Sequence, residues 1–146
     1  MKKLRNRLIF HFTLQFITIS IAIALIVIVL LFILLNYIAK DEMKRNIAVG
    51  TLEGIFNETE LYEDKAIIPN NWKEILKPRQ MWVQVINNNG DVIGEFNTPR
   101  DLPSNYDISD ILSIEKNQEL EGYTVLSRLD NTYEELYYFI LGESIS

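Results

Sequence analysis

The chain has 146 residues, a formal net charge of −6 and no cysteine. Without cysteine it forms no disulfide and has no catalytic thiol or cysteine-based zinc site. The four basic residues before Leu8 contribute +4 and no further charge occurs before Lys40, so residues 40–146 carry −10. Because phosphate binding needs clustered Lys and Arg, we do not expect this acidic region to bind nucleic acid.

An uncharged run from Leu8 to Ala39 dominates the first part of the chain. A bilayer core about 30 Å thick is crossed by roughly 20 apolar residues in a helix. The run is longer than this, and Phe16–Leu35 consists almost entirely of Ile, Leu, Val, Phe and Ala. The pattern predicts a basic tail over residues 1–8, a transmembrane helix over residues 9–39 and one domain over residues 40–146.

The charges on the two sides of the apolar run differ. Four basic residues and no acid precede the run, whereas three basic residues and two acids lie within Lys40–Arg45. The positive-inside rule then predicts a single-pass protein of the cell membrane, with a cytoplasmic N-terminus and residues 40–146 outside. The alternative is a cleaved signal peptide, whose apolar core has only about 7 to 15 residues. The length of the run and an interfacial Tyr37 favour a retained anchor in the lipid bilayer.

Apolar residues continue at helical spacing beyond the run, at Met43, Ile47, Leu52, Ile55 and Phe56. The first 68 residues contain no proline that would interrupt a helix. The spacing therefore predicts that the membrane helix continues outward as a stalk helix to about residue 60. A continuous helix could carry a displacement of the outer domain into the membrane.

The next segment combines a predicted loop with a predicted short helix. Leu61–Ile68 is acidic and predicts a loop. Asn71 then precedes Trp72–Leu76 and is expected to cap a short helix there, which Pro78 ends.

Two strand-like segments flank a turn. Met81–Ile86 is rich in β-branched and aromatic residues, and Asp91–Phe96 returns after Asn87–Gly90. Gly90 tolerates the positive φ that hairpin turns use. The sequence therefore predicts an antiparallel hairpin over Met81–Phe96.

A proline-punctuated connector, Thr98–Pro103, follows the hairpin. Asp107 or Ser109 is expected to cap a helix that carries Ile108, Ile111 and Leu112 on successive turns.

Two further strands are predicted after this helix. They cover Gly122–Leu129 and Glu135–Leu141, with a turn at Asp130–Asn131. The last strand is apolar on both faces, which indicates a central position in a sheet. These elements predict an α+β fold with a small antiparallel sheet.

Side chains that support catalysis are scarce. The single histidine, His11, lies in the apolar run, so no serine of the outer region has a histidine partner for a hydrolytic triad. The glycines are scattered and form no phosphate-binding loop. One acidic cluster lacks the regular spacing of a calcium loop and consists of Glu58, Glu60, Glu63 and Asp64. We therefore predict no catalytic residue, no metal site and no cofactor in this chain.

This layout resembles the N-terminal part of a bacterial sensor histidine kinase. A basic tail, one span and an outer α+β domain occur in that order. Met81–Ile93 is similar to the central hairpin of PAS-like (single-Cache-like) extracytoplasmic sensor domains. The connector Pro99–Pro103, Tyr106 and the helix Ile108–Ile114 follow in the order found in such domains of Gram-positive kinases.

The resemblance implies the signal-input part of a two-component system, which passes an extracytoplasmic cue through a membrane helix. It also implies a homodimer formed through the stalk and membrane helices. ATP, Mg²⁺ and a cognate response regulator would belong only to a full-length parent kinase, because phosphoacceptor and nucleotide motifs are absent from these 146 residues. We expect the sequence to be a fragment of such a kinase or a gene truncated in place, and not an enzyme by itself.

Six residues are candidates for binding the cue. They are Trp82, Gln84, Arg100, Tyr106, Tyr123 and Arg128. Trp82 and Gln84 share a strand face, and either arginine could meet an anionic cue. The alternatives are that Trp82 and Tyr123 are core residues of the sheet and that Arg128 points outward from its strand.

Two other function classes remain open. One is a single-span envelope scaffold that binds partners through its sheet edge or stalk and involves no kinase. The other is a cleaved, secreted binding protein. A second span and a phosphoacceptor helix encoded beyond Ser146 would distinguish the kinase from the scaffold.

Overall fold

A computed structural model describes residues 2–131 and 135–143. The chain divides into two compact units, Met1–Lys44 and Arg45–Ser146. The helices and strands of the described residues are, in chain order, α1 (Lys2–Glu58), β1 (Glu60–Leu61), β2 (Ala66–Ile67), α2 (Asn70–Leu76), β3 (Met81–Ile86), β4 (Val92–Phe96), α3 (Ile108–Asn117), β5 (Glu119–Leu120), β6 (Tyr123–Asp130) and β7 (Tyr137–Glu143).

Helix α1 is assigned as one helix of 57 residues, so the predicted continuation into the stalk region is confirmed as far as Glu58. Its side chains over residues 8–38 are exposed. Thr18 and Asn36 donate hydrogen bonds to backbone carbonyls one turn earlier, which satisfies polar groups within an apolar surface. Among the described residues, α1 is the helix whose length and composition would allow it to cross a membrane.

The second unit contains a five-stranded antiparallel sheet with the order β4-β3-β7-β6-β5. The predicted hairpin is confirmed as β3 and β4, and Gly90 in its turn has φ 86°. Strand β7 pairs with both β3 and β6, so the predicted central position of the last strand is also confirmed. The fold is α+β, as the sequence predicts.

Side chains of β3 alternate between two hydrophobic cores. Met81, Val83 and Val85 face the first core, which also contains residues from the end of α1 and from α2. Trp82 and Ile86 face the second core, which also contains residues of α3. Helices therefore cover both faces of the sheet, and for this reason every residue of β3 is buried.

The predicted acidic loop is wrong in part, because it contains a short ribbon of two strands. β1 pairs with β2 through Glu60 with Ile67 and Leu61 with Ala66. Ala66 is buried and packs close to Gly94 of β4, where a Cβ atom would lie 2.7 Å from the Ala66 carbonyl oxygen. Burial of the apolar end of this segment holds the segment against the sheet. The acidic composition of the segment gave no indication of this burial.

The predicted N-cap at Asn71 is also wrong. Helix α2 already begins at Asn70, and the capping position belongs to Pro69, whose φ of −61° and ψ of 145° are extended. The Pro69 carbonyl accepts the backbone N–H groups of Trp72 and Lys73. Proline fixes φ near this value, so the chain enters the helix without a side-chain cap. The helix ends before Pro78, as predicted.

Of the two predicted caps of α3, Asp107 is the one found. Its Oδ1 accepts hydrogen bonds from the Asp110 backbone at 2.8 Å and from the Ser109 hydroxyl at 2.6 Å. The Ser109 hydrogen bond, followed by that from the Asp110 backbone, lowers the pKa of Asp107 below its usual value. The carboxylate therefore stays charged at the positive end of the helix dipole.

Helix α3 continues to Asn117, beyond the segment Ile108–Ile114 named in the sequence analysis. Gln118 has a left-handed conformation, with φ 52°, and ends the helix. The unpredicted strand β5 follows and pairs with the start of β6. Asp130 belongs to β6 instead of the predicted turn, and residues 132–134 lie outside the described residues.

Candidate functional site

Trp82 lies fully buried in the second core. Its indole packs against the backbone of β7 at Gly142, where a Cβ atom would lie 2.2 Å from Cζ2 of Trp82. Tyr123 meets the indole edge to face, with ring centroids 6.0 Å apart and an interplanar angle of 82°. Two of the three aromatic candidates, Trp82 and Tyr123, are therefore neighbours, and both contribute to packing of the second core.

Gln84 and Tyr106 form a buried polar pair on the same face of the sheet. The Tyr106 hydroxyl donates to Gln84 Oε1 at 2.5 Å. Gln84 Nε2 donates to the Pro103 carbonyl at 3.3 Å. Burial is the main cause that raises the pKa of Tyr106, so the hydroxyl remains a donor. These bonds hold the connector after β4 against strand β3.

Arg100 lies on an exposed turn of that connector. The next residue, Asp101, accepts a hydrogen bond from the Tyr123 hydroxyl at 3.2 Å. Burial and then this carboxylate raise the pKa of Tyr123. Arg100 therefore lies at the edge of the second core. The contact with Tyr123 is made by Asp101 and not by Arg100.

Arg128 lies on the opposite face of the sheet. Along β6, Val125 belongs to the second core and Leu126 packs against the first, so Arg128 shares the face of Leu126. Its guanidinium carbon is 3.9 Å from the centroid of the Phe56 ring, and Nη1 is 3.7 Å from Glu53 Oε1. The six candidate residues therefore do not form one pocket, because Arg128 is separated from Trp82 by the sheet.

A cleft of about 170 Å³ lies beside Arg128. Its walls combine aliphatic side chains with one ion pair and consist of Val49, Leu52, Glu53, Leu126, Ser127 and Arg128. This chemistry suits a small, mainly apolar group with an anionic or polar end. A ligand-binding role for the six candidate residues stays a prediction.

Two buried side-chain polar atoms have no hydrogen-bond partner within residues 2–131 and 135–143. They are Nε1 of Trp82 and Oγ1 of Thr98. Trp72 differs, because its Nε1 donates to Glu58 Oε2 at 2.6 Å. Buried donors normally have a hydrogen-bond partner. A polar acceptor placed beside the unpaired Trp82 N–H would therefore be stabilised more than one placed elsewhere in the second core.

The acids predicted not to bind a metal lie near the end of α1. Glu58 accepts the Trp72 indole N–H, and Glu60 accepts the Tyr62 hydroxyl at 3.1 Å. The part of the chain that the structure describes contains no group of three or more His, Asp or Glu side chains placed to hold a metal ion.

Comparison with known proteins gives a distant similarity to a signalling protein. Over 141 residues, or 96% of its length, the chain is 22% identical to the sensor histidine kinase YvrG of Bacillus subtilis (strain 168). The chain spans 24% of that protein. No family model and no solved structure matches the chain.

The similarity extends beyond the apolar helix. An alignment over 96% of the chain includes most of α1 and most of the sheet domain. The chain is therefore similar, over both its units, to a sensor histidine kinase.

The sequence prediction missed three residues that shape these sites. Phe56 lies under the Arg128 guanidinium, Thr98 carries an unpaired hydroxyl, and Glu115 of α3 accepts the Ser127 and Tyr138 hydroxyls at 3.0 and 2.9 Å. Phe56 belonged to the apolar stripe of the stalk, which predicted its burial but not the arginine above it. The pairings depend on strand register, which one sequence does not specify.

Replacing Tyr106 by Phe is expected to lower the free energy of unfolding by about 1–3 kcal/mol, because Gln84 Oε1 loses its buried donor. Tyr123→Phe is the matched control, since it removes a hydroxyl whose partner Asp101 is exposed, and it should cost less than about 1 kcal/mol. Urea unfolding of both variants measures the difference. Equal losses in the two variants would contradict the anchoring role of the buried pair.

Proposed function

We propose that this chain is the signal-input part of a membrane-bound sensor histidine kinase. In this proposal α1 crosses the cell membrane, the N-terminus is cytoplasmic, and residues 40–146 form an extracytoplasmic PAS-like domain. A cue that binds this domain alters the position of α1, which passes the signal inward.

One observation carries the proposal. The similarity to a sensor histidine kinase extends over 141 residues and so includes both an apolar helix and a sheet domain. A coincidental likeness between two apolar helices would end near Ala39. The sheet domain contributes the rest of the alignment, and it is the domain in which the sequence resembles sensor modules.

The end of α1 supplies a route for coupling to the sheet. Leu52 and Ile55 are buried in the first core, and Phe56 contacts Phe139 of β7 with ring centroids 5.2 Å apart. Arg128 of β6 covers the same Phe56 ring. A cue that changes the packing of this face would therefore act directly on the last turns of α1. Coupling requires that the cue bind two conformations with different affinity.

The remaining parts of the proposal concern a full-length protein. We propose a homodimer through the stalk and membrane helices, with ATP and Mg²⁺ bound by a kinase core and a response regulator as the phosphoryl acceptor. The chain spans a quarter of the similar kinase, which leaves ample length there for such a core.

A chimera tests the proposed function. Residues 1–146 replace the matching segment of the Bacillus subtilis kinase, and autophosphorylation is measured in membrane vesicles. Arg128→Ala removes the contact with Phe56, and we expect it to change autophosphorylation about two- to fivefold, since an exposed cation–π contact is worth about 0.5–1 kcal/mol. Arg79→Ala, in the exposed turn after α2, is the control and should leave the level unchanged. An inactive chimera, or one indifferent to both substitutions, would refute the proposal.

The proposed topology predicts a clear labelling pattern. The chain has no cysteine, so a single introduced cysteine reports one position. Asn88→Cys, in the exposed hairpin turn, should react with a membrane-impermeant maleimide in intact cells. Lys3→Cys should react only after the cells are permeabilised. The reverse pattern would show that the domain lies in the cytoplasm.

A further inference from the structure

Helix α3 carries two large aliphatic side chains that are almost fully in solvent. Ile108 is 77% exposed and Leu112 is 63% exposed. They are four residues apart and so lie on one face of the helix. Ile111 and Ile114 lie on the other face and pack into the second core. The exposed pair therefore contributes nothing to the packing of α3 on the sheet.

Strand β6 adds a third exposed aliphatic residue on the same side of the sheet. Leu129 is 52% exposed and follows the alternation of Val125 and Ser127, which both face α3. The Ser127 hydroxyl donates to Glu115 of α3 at 3.0 Å. We call Ile108, Leu112 and Leu129 the α3 surface.

Acidic residues lie on and beside helix α3, which carries two of the three residues of this surface. Residues 101–146 contain ten acids and two basic residues, a net −8 out of the −10 carried by residues 40–146. Four of these acids are exposed on α3 or just beside it, namely Asp107, Asp110, Glu115 and Glu119. Lys116 is the one basic residue of this stretch, so residues 107–119, which carry Ile108 and Leu112, have a net charge of 1 − 4 = −3.

This charge selects among the possible occupants of the α3 surface. A second copy of the chain would bring the same negative charge to the interface, and an anionic lipid surface would likewise repel it. A peptide with Lys or Arg on one helical face and aliphatic residues on the other matches both the charge and the apolar residues. We propose that the α3 surface binds a cationic amphipathic peptide. The claim that this peptide is the cue of a sensor rests on the proposed function. The claim that the α3 surface binds the peptide does not depend on it.

The binding test uses the full chain in nanodiscs of zwitterionic phosphatidylcholine. The probe is a fluorescent synthetic peptide of Leu and Lys in amphipathic helical order, with its anisotropy on empty nanodiscs subtracted. Ile108→Ser/Leu112→Ser is expected to weaken binding about tenfold or more, since each buried aliphatic side chain contributes several-fold to affinity. Glu119→Gln should weaken it less and reduce its salt dependence.

A matched control places the same two changes on the other face of the sheet. Ile67→Ser/Ile75→Ser alters two aliphatic residues that are 39% and 37% exposed, and it should leave peptide binding unchanged. Binding that survives Ile108→Ser/Leu112→Ser would overturn the inference. So would self-association of the chain that this double variant abolishes, because a second copy would then be the occupant.

The two proposals fail in different ways. If the chain binds the peptide through the α3 surface but the kinase chimera is inactive, the inference stands and the proposed function does not. If the chimera passes its test and the peptide does not bind, the sensor role stands with a different cue.

Discussion

Replacing Trp82 by Ala is expected to lower the free energy of unfolding of the sheet domain by about 3–5 kcal/mol, the usual cost of deleting a buried tryptophan. The side chain is fully buried between Gly142 and Tyr123, so its removal leaves a cavity in the centre of the second core. The chain has two tryptophans, so the fluorescence of Trp72 still reports urea unfolding of the variant.

Trp82→Phe is the control for this experiment. It keeps an aromatic ring but removes the indole N–H, which has no partner among the described residues. Removing an unsatisfied donor offsets part of the packing loss, so we expect a cost below about 1.5 kcal/mol. A cost below about 1 kcal/mol for Trp82→Ala would contradict the placement of Trp82 in the core.

The second large effect is expected at Gly90 in the hairpin turn. Gly90 has φ 86°, and a Cβ atom there would lie 1.8 Å from the Tyr106 carbonyl oxygen. Gly90→Ala should therefore lose about 1–2 kcal/mol from the left-handed backbone and about 1–3 kcal/mol more from displacing the connector. The same approach brings the Tyr106 N–H to the Gly90 carbonyl at 2.7 Å, so the substitution also disturbs that hydrogen bond.

Gly122 provides the matched control. It has the same φ of 86°, but a Cβ atom there would meet no atom within 4 Å. Gly122→Ala should therefore show only the backbone cost of about 1–2 kcal/mol. Urea midpoints of the two variants measure the difference, and equal losses would show that the contact with Tyr106 is unimportant.

Contacts of Gly90 and Gln84 fix the position of the connector after β4. Gly90 and Gln84 hold Tyr106 from two sides, one through the backbone and one through a buried side chain. Leu102 and Tyr106 of the connector pack in the same core as Trp82.

Local sequence patterns predicted the elements that depend on neighbouring residues. The helix over the apolar run, the hairpin around Gly90 and the cap at Asp107 are all present. Each rests on an interaction within a few residues of chain, such as helical spacing, a permissive turn glycine or a side chain that bonds the next turn.

The predictions that failed involve contacts between distant residues. Asn71 looked like a helix cap, but its side chain donates to Glu58, thirteen residues earlier in the chain, at 3.4 Å. Ala66 and Ile68 are buried although the segment around them is acidic. The short strand β5 forms only because β6 returns beside it. None of these partners can be inferred from local spacing.

The amino-acid sequence by itself determined that an apolar helix precedes an acidic α+β domain, because length, periodicity and charge are properties of the chain. Only the tertiary structure decided which candidate residues meet. Strand register places Trp82 and Arg128 on opposite faces, and it sets Arg128 over Phe56 at the end of α1. Register depends on the packing of all strands and helices together, so it emerges only when the sheet is assembled.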